Sequence, residues 1–169
     1  MSDDRSTLHD RACARITERL REVLGGESPL RTALRYRIGV EDSSLALGSA
    51  IDVLDAALRL GADPDVALAA GTTAALIEAF VRVRAGIEPG NGADAINAGD
   101  LLLSLAFDEA RKAGAAALER TLGLCVAWIE TGDREALMRS ARAIGEVVAG
   151  TSTDGKHGEP REPDERGST

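Results

Sequence analysis

Aromatic side chains are scarce in this chain of 169 residues, which has only four of them, 2% of the total: Tyr36, Phe80, Phe107 and Trp128. Nucleic-acid bases stack on aromatic rings, and their phosphates attract a surplus of Lys and Arg. The formal net charge here is −8, and Lys112 and Lys156 are the two lysines. Composition therefore argues against a nucleic-acid binder.

Cysteine and histidine are equally sparse and show no metal-ligand spacing. Cys13 and Cys125 lie far apart, neither belongs to a CxxC pair, and His9 and His157 add no ligand pattern. A zinc site is therefore not predicted, and at this size the fold does not need a disulfide.

Long apolar runs are missing as well. The first ten residues contain no apolar stretch, which argues against a signal peptide. No stretch of about 18 uncharged apolar residues occurs, so we expect no membrane span and a cytoplasmic protein.

Hydrophobic residues make up 44% of the chain, enough for a core, and they recur at helical spacing. No run alternates polar and apolar residues as a strand does, so we predict an all-α bundle of about seven helices over residues 1–150. Residues 151–169 contain no Val, Ile, Leu, Phe or Met and are rich in Gly, Pro and charge, which predicts a disordered tail. The predicted helices begin at Ser6 or Thr7, Pro29, Ser43 or Ser44, Pro64, Ala95, Ala115 and Asp133.

A dense apolar block runs from Leu101 to Phe107. It is apolar on more faces than a surface helix of a small monomer needs. Either it fills the centre of the bundle or another subunit shares it. In the second case the candidate interface residues are Leu101, Leu102, Leu105 and Phe107.

The 28 carboxylates include few pairs that suggest chemistry. Asp52 and Asp55 are spaced to share a helix face and form one candidate polar site with Asp100. Asp100 follows Gly99 at an expected helix start, where a carboxylate more often caps free N–H groups. For Asp108 and Glu109, near a helix end, we expect ordinary surface solvation.

Basic residues are most concentrated at Arg31, Arg35 and Arg37. Such a cluster usually pairs with neighbouring acids on the protein surface. The chain has no GxSxG, no GxGxxG and no P-loop pattern, so no nucleophile or nucleotide motif is recognised.

Three segments resemble the trans-polyprenyl diphosphate synthases. Leu34-Arg35-Tyr36 is similar to the LRY before that family's first substrate loop, and residues 60–78 (LGADPDVALAAGTTAALIE) resemble its helix between an LGGDP-like turn and LIH. Residues 97–110 (NAGDLLLSLAFDEA) resemble its AGD helix. The resemblance covers roughly residues 29–129 and implies the N-terminal half of the isoprenoid synthase fold.

The resemblance also implies that the catalytic groups are absent. The family's DDxxD, which holds magnesium, would fall on Ala79, Phe80 and Val83, and its basic GGKRxRP loop on residues 44–50, SLALGSA. Ionising an allylic diphosphate requires divalent metal and cations on the leaving group. The chain is therefore not expected to be a prenyltransferase by itself or to hold a cofactor; any magnesium would be held by a catalytic partner.

The resemblance implies a non-catalytic accessory subunit of a polyprenyl diphosphate synthase, which packs on a catalytic partner and influences its activity or product length. One alternative is a degenerate helical binding module or homodimer for an apolar, isoprenoid ligand. Another is an enzyme of different chemistry that uses Asp52, Asp55 or Asp100.

Overall fold

The computed structural model describes residues 3–41, 47–86 and 92–131. These residues form six helices and no strand, which confirms the all-α prediction over this part of the chain. The predicted helix at 133–149 and the predicted tail at 151–169 lie outside the described residues. The helices are α1 (Asp3–Val23), α2 (Pro29–Arg37), α3 (Gly48–Arg59), α4 (Pro64–Ala85), α5 (Gly92–Ala113) and α6 (Ala115–Thr131).

Proline marks two of the helix starts, as the sequence predicts. Pro29 opens α2 and Pro64 opens α4, where a proline lacks only an N–H that the helix would leave unpaired. The Asp63 carboxylate caps α4 by accepting hydrogen bonds from the backbone N–H of Asp65 at 2.9 Å and of Val66 at 3.4 Å. Sequence chemistry thus places these two boundaries correctly.

Three other predicted boundaries differ from the structure. α1 begins at Asp3, so Ser6 and Thr7 lie inside it rather than capping it. α5 begins at Gly92 rather than Ala95, and α3 begins at Gly48, while Ser43 and Ser44 lie outside the described residues. In α1 and α5 the helix starts earlier than predicted, because no residue in the added stretch prevents the helical conformation.

The central helix is α4, which packs against α3, α5 and α1. From residue 69 through residue 81 every position is buried, including Thr72 and Thr73, whose hydroxyls donate to the carbonyls four residues earlier. By length and composition alone Pro64–Arg84 is apolar enough to cross a membrane, yet 83% of that window is buried inside the bundle. A core helix passes the same test, because it too is apolar around its girth.

Small residues let α4 approach its neighbours closely. A Cβ added to Gly71 would lie 3.0 Å from the Ala50 carbonyl oxygen and 3.2 Å from Leu54 Cβ on α3. A Cβ added to Gly99 on α5 would lie 3.0 Å from the Arg84 Cδ. At these crossings the glycine backbone lies directly against atoms of the neighbouring helix. No space is therefore left between α3 and α4 at Gly71.

The basic cluster has a structural role in part. Arg31 Nη1 donates to the Val23 carbonyl at 2.7 Å, and Arg35 Nη1 donates to the Leu24 carbonyl at 2.9 Å. These carbonyls lie at the end of α1, where cations also offset the negative end of the helix dipole. Within the part of the chain that the structure describes, Arg35 alone of the three matches the expected pairing with an acid, through Glu41 at 2.8 Å.

Candidate functional site

The positions where the resemblance puts metal-binding aspartates are interior positions of α4. Ala79 is 1% exposed, Phe80 4% and Val83 2%. Their side chains belong to the hydrophobic core of the bundle and supply no oxygen ligand for a divalent cation. The role of these three side chains is to pack in the hydrophobic core.

Beside them on α4 lies a buried carboxylate, that of Glu78. The Ser49 hydroxyl of α3 donates to Glu78 Oε2 at 2.6 Å, and Arg82 Nη2 donates to Glu78 Oε1 at 2.9 Å. Ser49 is 5% exposed and Glu78 9%. A carboxylate with both oxygens bonded in this way holds its arginine partner in one orientation.

A cavity of about 120 Å³ opens next to this group, between the end of α2 and the last turns of α4. Arg37 comes from α2 and Arg82 from α4, and the other described residues that line it are apolar: Ile38, Ala79 and Val83. Two guanidinium groups therefore border a small cavity with an apolar wall.

A second charged cluster joins α1 to α5. Glu109 is 0% exposed, and its carboxylate accepts hydrogen bonds from Arg19 Nε at 3.0 Å, Arg19 Nη2 at 3.1 Å and Lys112 Nζ at 2.6 Å. The expectation of surface solvation is wrong for Glu109, because α5 turns this residue onto its core face. The expectation holds for Asp108, whose side chain is 49% exposed.

The surroundings of this cluster shift two pKa values in the directions that ion pairing requires. Hydrogen bonding to Lys112, then to Arg111, lowers the pKa of Asp108. Hydrogen bonds to Asp108 and then to Glu109 raise the pKa of Lys112. A cavity of about 360 Å³ lies alongside, lined by Arg19, Lys112 and the first turns of α4. Arg19, Arg111 and Lys112 each pair with a carboxylate. The cluster therefore stabilises the packing of α1 against α5.

The three aspartates of the candidate polar site do not come together as a buried site. Asp52 and Asp55 are exposed on α3, and Asp100 is exposed on α5. Asp100 lies in the middle of α5, so the capping role expected for it is wrong. Among the described residues, no three His, Cys, Asp or Glu side chains are grouped to hold a metal ion.

Cys13, on α1, carries a free thiol. Burial, and then the negative charge of Asp10, raise the pKa of this thiol. A raised pKa keeps the thiol protonated at neutral pH, whereas a nucleophilic cysteine needs a lowered one. Cys13 is thus in an environment that suits packing rather than nucleophilic attack.

The four candidate interface residues on α5 do not share one face. Leu102 is 0% exposed and packs in this chain's own core. Since each helical residue turns the chain by about 100°, Leu101 and Leu105 lie on one side of Leu102 and Phe107 lies on the other. Leu101, Leu105 and Phe107 are each half-buried.

On the Phe107 side the helix presents an apolar edge in which the exposed Asp100 lies between Ile96 and Leu103. Ile96, Leu103 and Phe107 are spaced seven and four residues apart, which aligns them along α5. Ile96 is 45% exposed, while Leu103 and Phe107 are half-buried. We call these three residues the α5 edge. Of the four predicted interface residues only Phe107 belongs to it; Leu101 and Leu105, on the other side of the helix, are also half-buried.

Sequence reasoning missed Glu78 and Glu109, the buried carboxylates among the residues whose exposure the structure describes. The signal for Glu109 was present, since it lies seven residues after Leu102 and four before Ala113, both core positions of α5. Glu78 likewise sits inside the long apolar run of α4. A charged residue at a core register position predicts a polar or charged partner, which comes from the same helix for Arg82 and from another helix for Ser49 and Arg19.

Comparison with known protein families, with curated proteins and with solved structures finds no match to this chain. The relationship to polyprenyl diphosphate synthases therefore stays a prediction from the sequence motifs.

Proposed function

We propose that this chain is a non-catalytic helical subunit that packs on a catalytic polyprenyl diphosphate synthase and influences its activity or product length. The motifs at residues 34–36, 60–78 and 97–110 support this partner class. The observation that carries the proposal is the α5 edge, an apolar stripe left partly open on the same helix that resembles the family's AGD helix.

The interior positions of α4 also support a non-catalytic role. Ala79, Phe80 and Val83 are buried and offer no oxygen ligand to a metal ion. A catalytic site, in this proposal, belongs to the partner.

Close packing favours the subunit over an apolar-ligand module. The Gly71 crossing leaves no room for a hydrocarbon chain between α3 and α4. The two cavities described above are bordered by arginine and lysine side chains rather than by apolar groups alone. An isoprenoid tail prefers an apolar tunnel, so we rank this alternative second.

The test is native mass spectrometry and size-exclusion chromatography of the full chain, alone and with a polyprenyl diphosphate synthase from the same source. We expect a stable mixed complex and a change in the synthase's rate or product length. Ile96→Glu should weaken the complex by at least about tenfold, because it puts a charge into the apolar edge.

The matched control is Leu58→Glu. Leu58 is 38% exposed on α3, close to the 45% of Ile96, but lies away from the α5 edge. Both variants change an exposed aliphatic residue, so both should keep the helical circular dichroism of the parent. A chain that forms no complex and leaves the synthase unaltered would refute the proposal, as would equal weakening by both variants.

A further inference from the structure

The cavity between α2 and α4 has a charge opposite to that of a metal site. Arg37 and Arg82 border it, and the carboxylate nearby, Glu78, is already bonded to Arg82 and to Ser49. Within the described residues Arg37 forms no ion pair with a carboxylate. Among the described residues around the cavity, in a chain of net charge −8, this is a local excess of positive charge.

We propose that this cavity binds an oxyanion of the phosphate class directly, through Arg37 and Arg82 and without a divalent cation. The guanidinium group is a planar fork of N–H donors that matches the oxygens of a phosphoryl group. Two such forks from two different helices border one cavity. The inference is independent of the proposed subunit function.

The size and the walls of the cavity limit the ligand. At about 120 Å³ the cavity accommodates one phosphoryl group rather than a whole nucleotide. Ile38, Ala79 and Val83 exclude water from one side, which strengthens the interaction between the guanidinium groups and an anion. The same positive charge repels Mg²⁺.

The orientation of Arg82 is set before any ligand arrives. Its Nη2 donates to Glu78 Oε1 at 2.9 Å, and Glu78 is itself held by the buried Ser49 hydroxyl at 2.6 Å. A fixed donor loses less conformational entropy on binding than a free surface arginine does. Arg37 is exposed at the end of α2 and supplies the charge that Glu78 does not neutralise.

Both arginines also lie near helix C-termini, where cations offset the helix dipole. That role alone predicts no ligand, so binding measurements separate the two interpretations. The chain offers a matched control in Arg59, an exposed arginine that is the last residue of α3 as Arg37 is of α2. Arg59 Nε donates to the Asp55 carbonyl and lines neither cavity described above.

The experiment is isothermal titration calorimetry of the full chain with inorganic phosphate, in low salt and with EDTA present. We expect saturable 1:1 binding that Arg37→Gln weakens by about tenfold and Arg59→Gln leaves unchanged. Because Arg82→Gln breaks the Glu78 pair, Arg82→Lys is the second variant: it keeps the charge, loses the fork and should weaken binding less than Arg37→Gln does.

Repeating the titration with glycerol 3-phosphate distinguishes the source of the anion. Tighter Arg37-dependent binding of the ester identifies a phosphorylated organic molecule, and equal binding identifies free phosphate. The proposal is overturned if no saturable binding occurs up to about 10 mM phosphate, if binding requires Mg²⁺, or if Arg37→Gln and Arg59→Gln weaken it equally.

Discussion

The buried pair between Arg19 and Glu109 gives the sharpest stability prediction. Glu109 is 0% exposed, whereas the side chain of Arg19 is 29% exposed and that of Lys112 is 39% exposed. The carboxylate depends on its partners for all its polar contacts, while the two cations reach water. Breaking the pair from the arginine side should therefore cost more than breaking it from the carboxylate side.

Arg19→Met keeps the apolar stem and removes two of the three hydrogen bonds to Glu109. Removing one partner from a buried ion pair costs about 3–5 kcal/mol. Lys112 Nζ stays on Glu109 Oε1, so we expect a loss of about 3 kcal/mol, at the lower end of that range. Glu109→Gln leaves two cations that hydrate and one amide oxygen that still accepts, which should cost only about 1–2 kcal/mol.

Urea unfolding followed by circular dichroism measures these free energies, with the dependence on urea concentration expected to stay constant. Glu22→Gln is the control, since Glu22 also bonds Arg19, at 2.8 Å, but is 58% exposed. Its loss should be at most about 0.5 kcal/mol. Two results would contradict the role of burial: a loss in unfolding free energy for Glu109→Gln as large as that for Arg19→Met, or an equally large loss for Glu22→Gln.

Two more predictions concern packing and pH. Gly71→Ala should destabilise the fold by about 1–3 kcal/mol because its Cβ would meet the Ala50 carbonyl at 3.0 Å. Gly123→Ala, with open space around it, should stabilise α6 by about 1 kcal/mol. Thermal unfolding measures both changes in stability, and changes of the same sign would contradict the close approach at Gly71. The raised pKa of Lys112 implies that its contribution is complete below the ordinary value of 10.5 and is lost as pH rises through the folded-state pKa. The lowered pKa of Asp108 implies the reverse, a contribution present above 3.8 and lost as pH falls through its folded-state pKa. Lys112→Met should remove the alkaline loss when unfolding free energy is measured against pH, and an unchanged alkaline slope would argue against the pairing.

Helix type and several boundaries were predictable because their causes are local. The pair Asp63-Pro64 starts a helix irrespective of tertiary contacts, because Pro64 fixes φ and the Asp63 side chain caps free N–H groups. The start of α1 and the central place of Asp100 were not predictable in this way. Ser6, Thr7 and Asp100 are residue types that suit either a cap or a helix interior, and here all three lie inside a helix. The neighbouring turns decide which of the two positions such a residue takes.

The candidate site was less predictable because it depends on partners distant in sequence. The positive cavity needs Arg37 and Arg82, which are brought together by the packing of α2 beside the end of α4. The split of the predicted interface into two sides of α5 follows from the helical turn angle, but how far each side is exposed depends on the helices packed around it. Asp52 and Asp55 show the converse, a correctly spaced pair that the fold leaves exposed.

The sequence by itself determined the helical class of the described residues, the proline-led starts of α2 and α4, and the absence of carboxylates at residues 79, 80 and 83. These follow from backbone chemistry and residue identity, which act within a few residues. Only the tertiary structure decided that Glu78 and Glu109 are buried, that Arg19 pairs with Glu109 and that two arginines border one cavity. Burial and charge pairing depend on which helix faces meet, and residues as far apart as 19 and 109 meet only when the bundle closes.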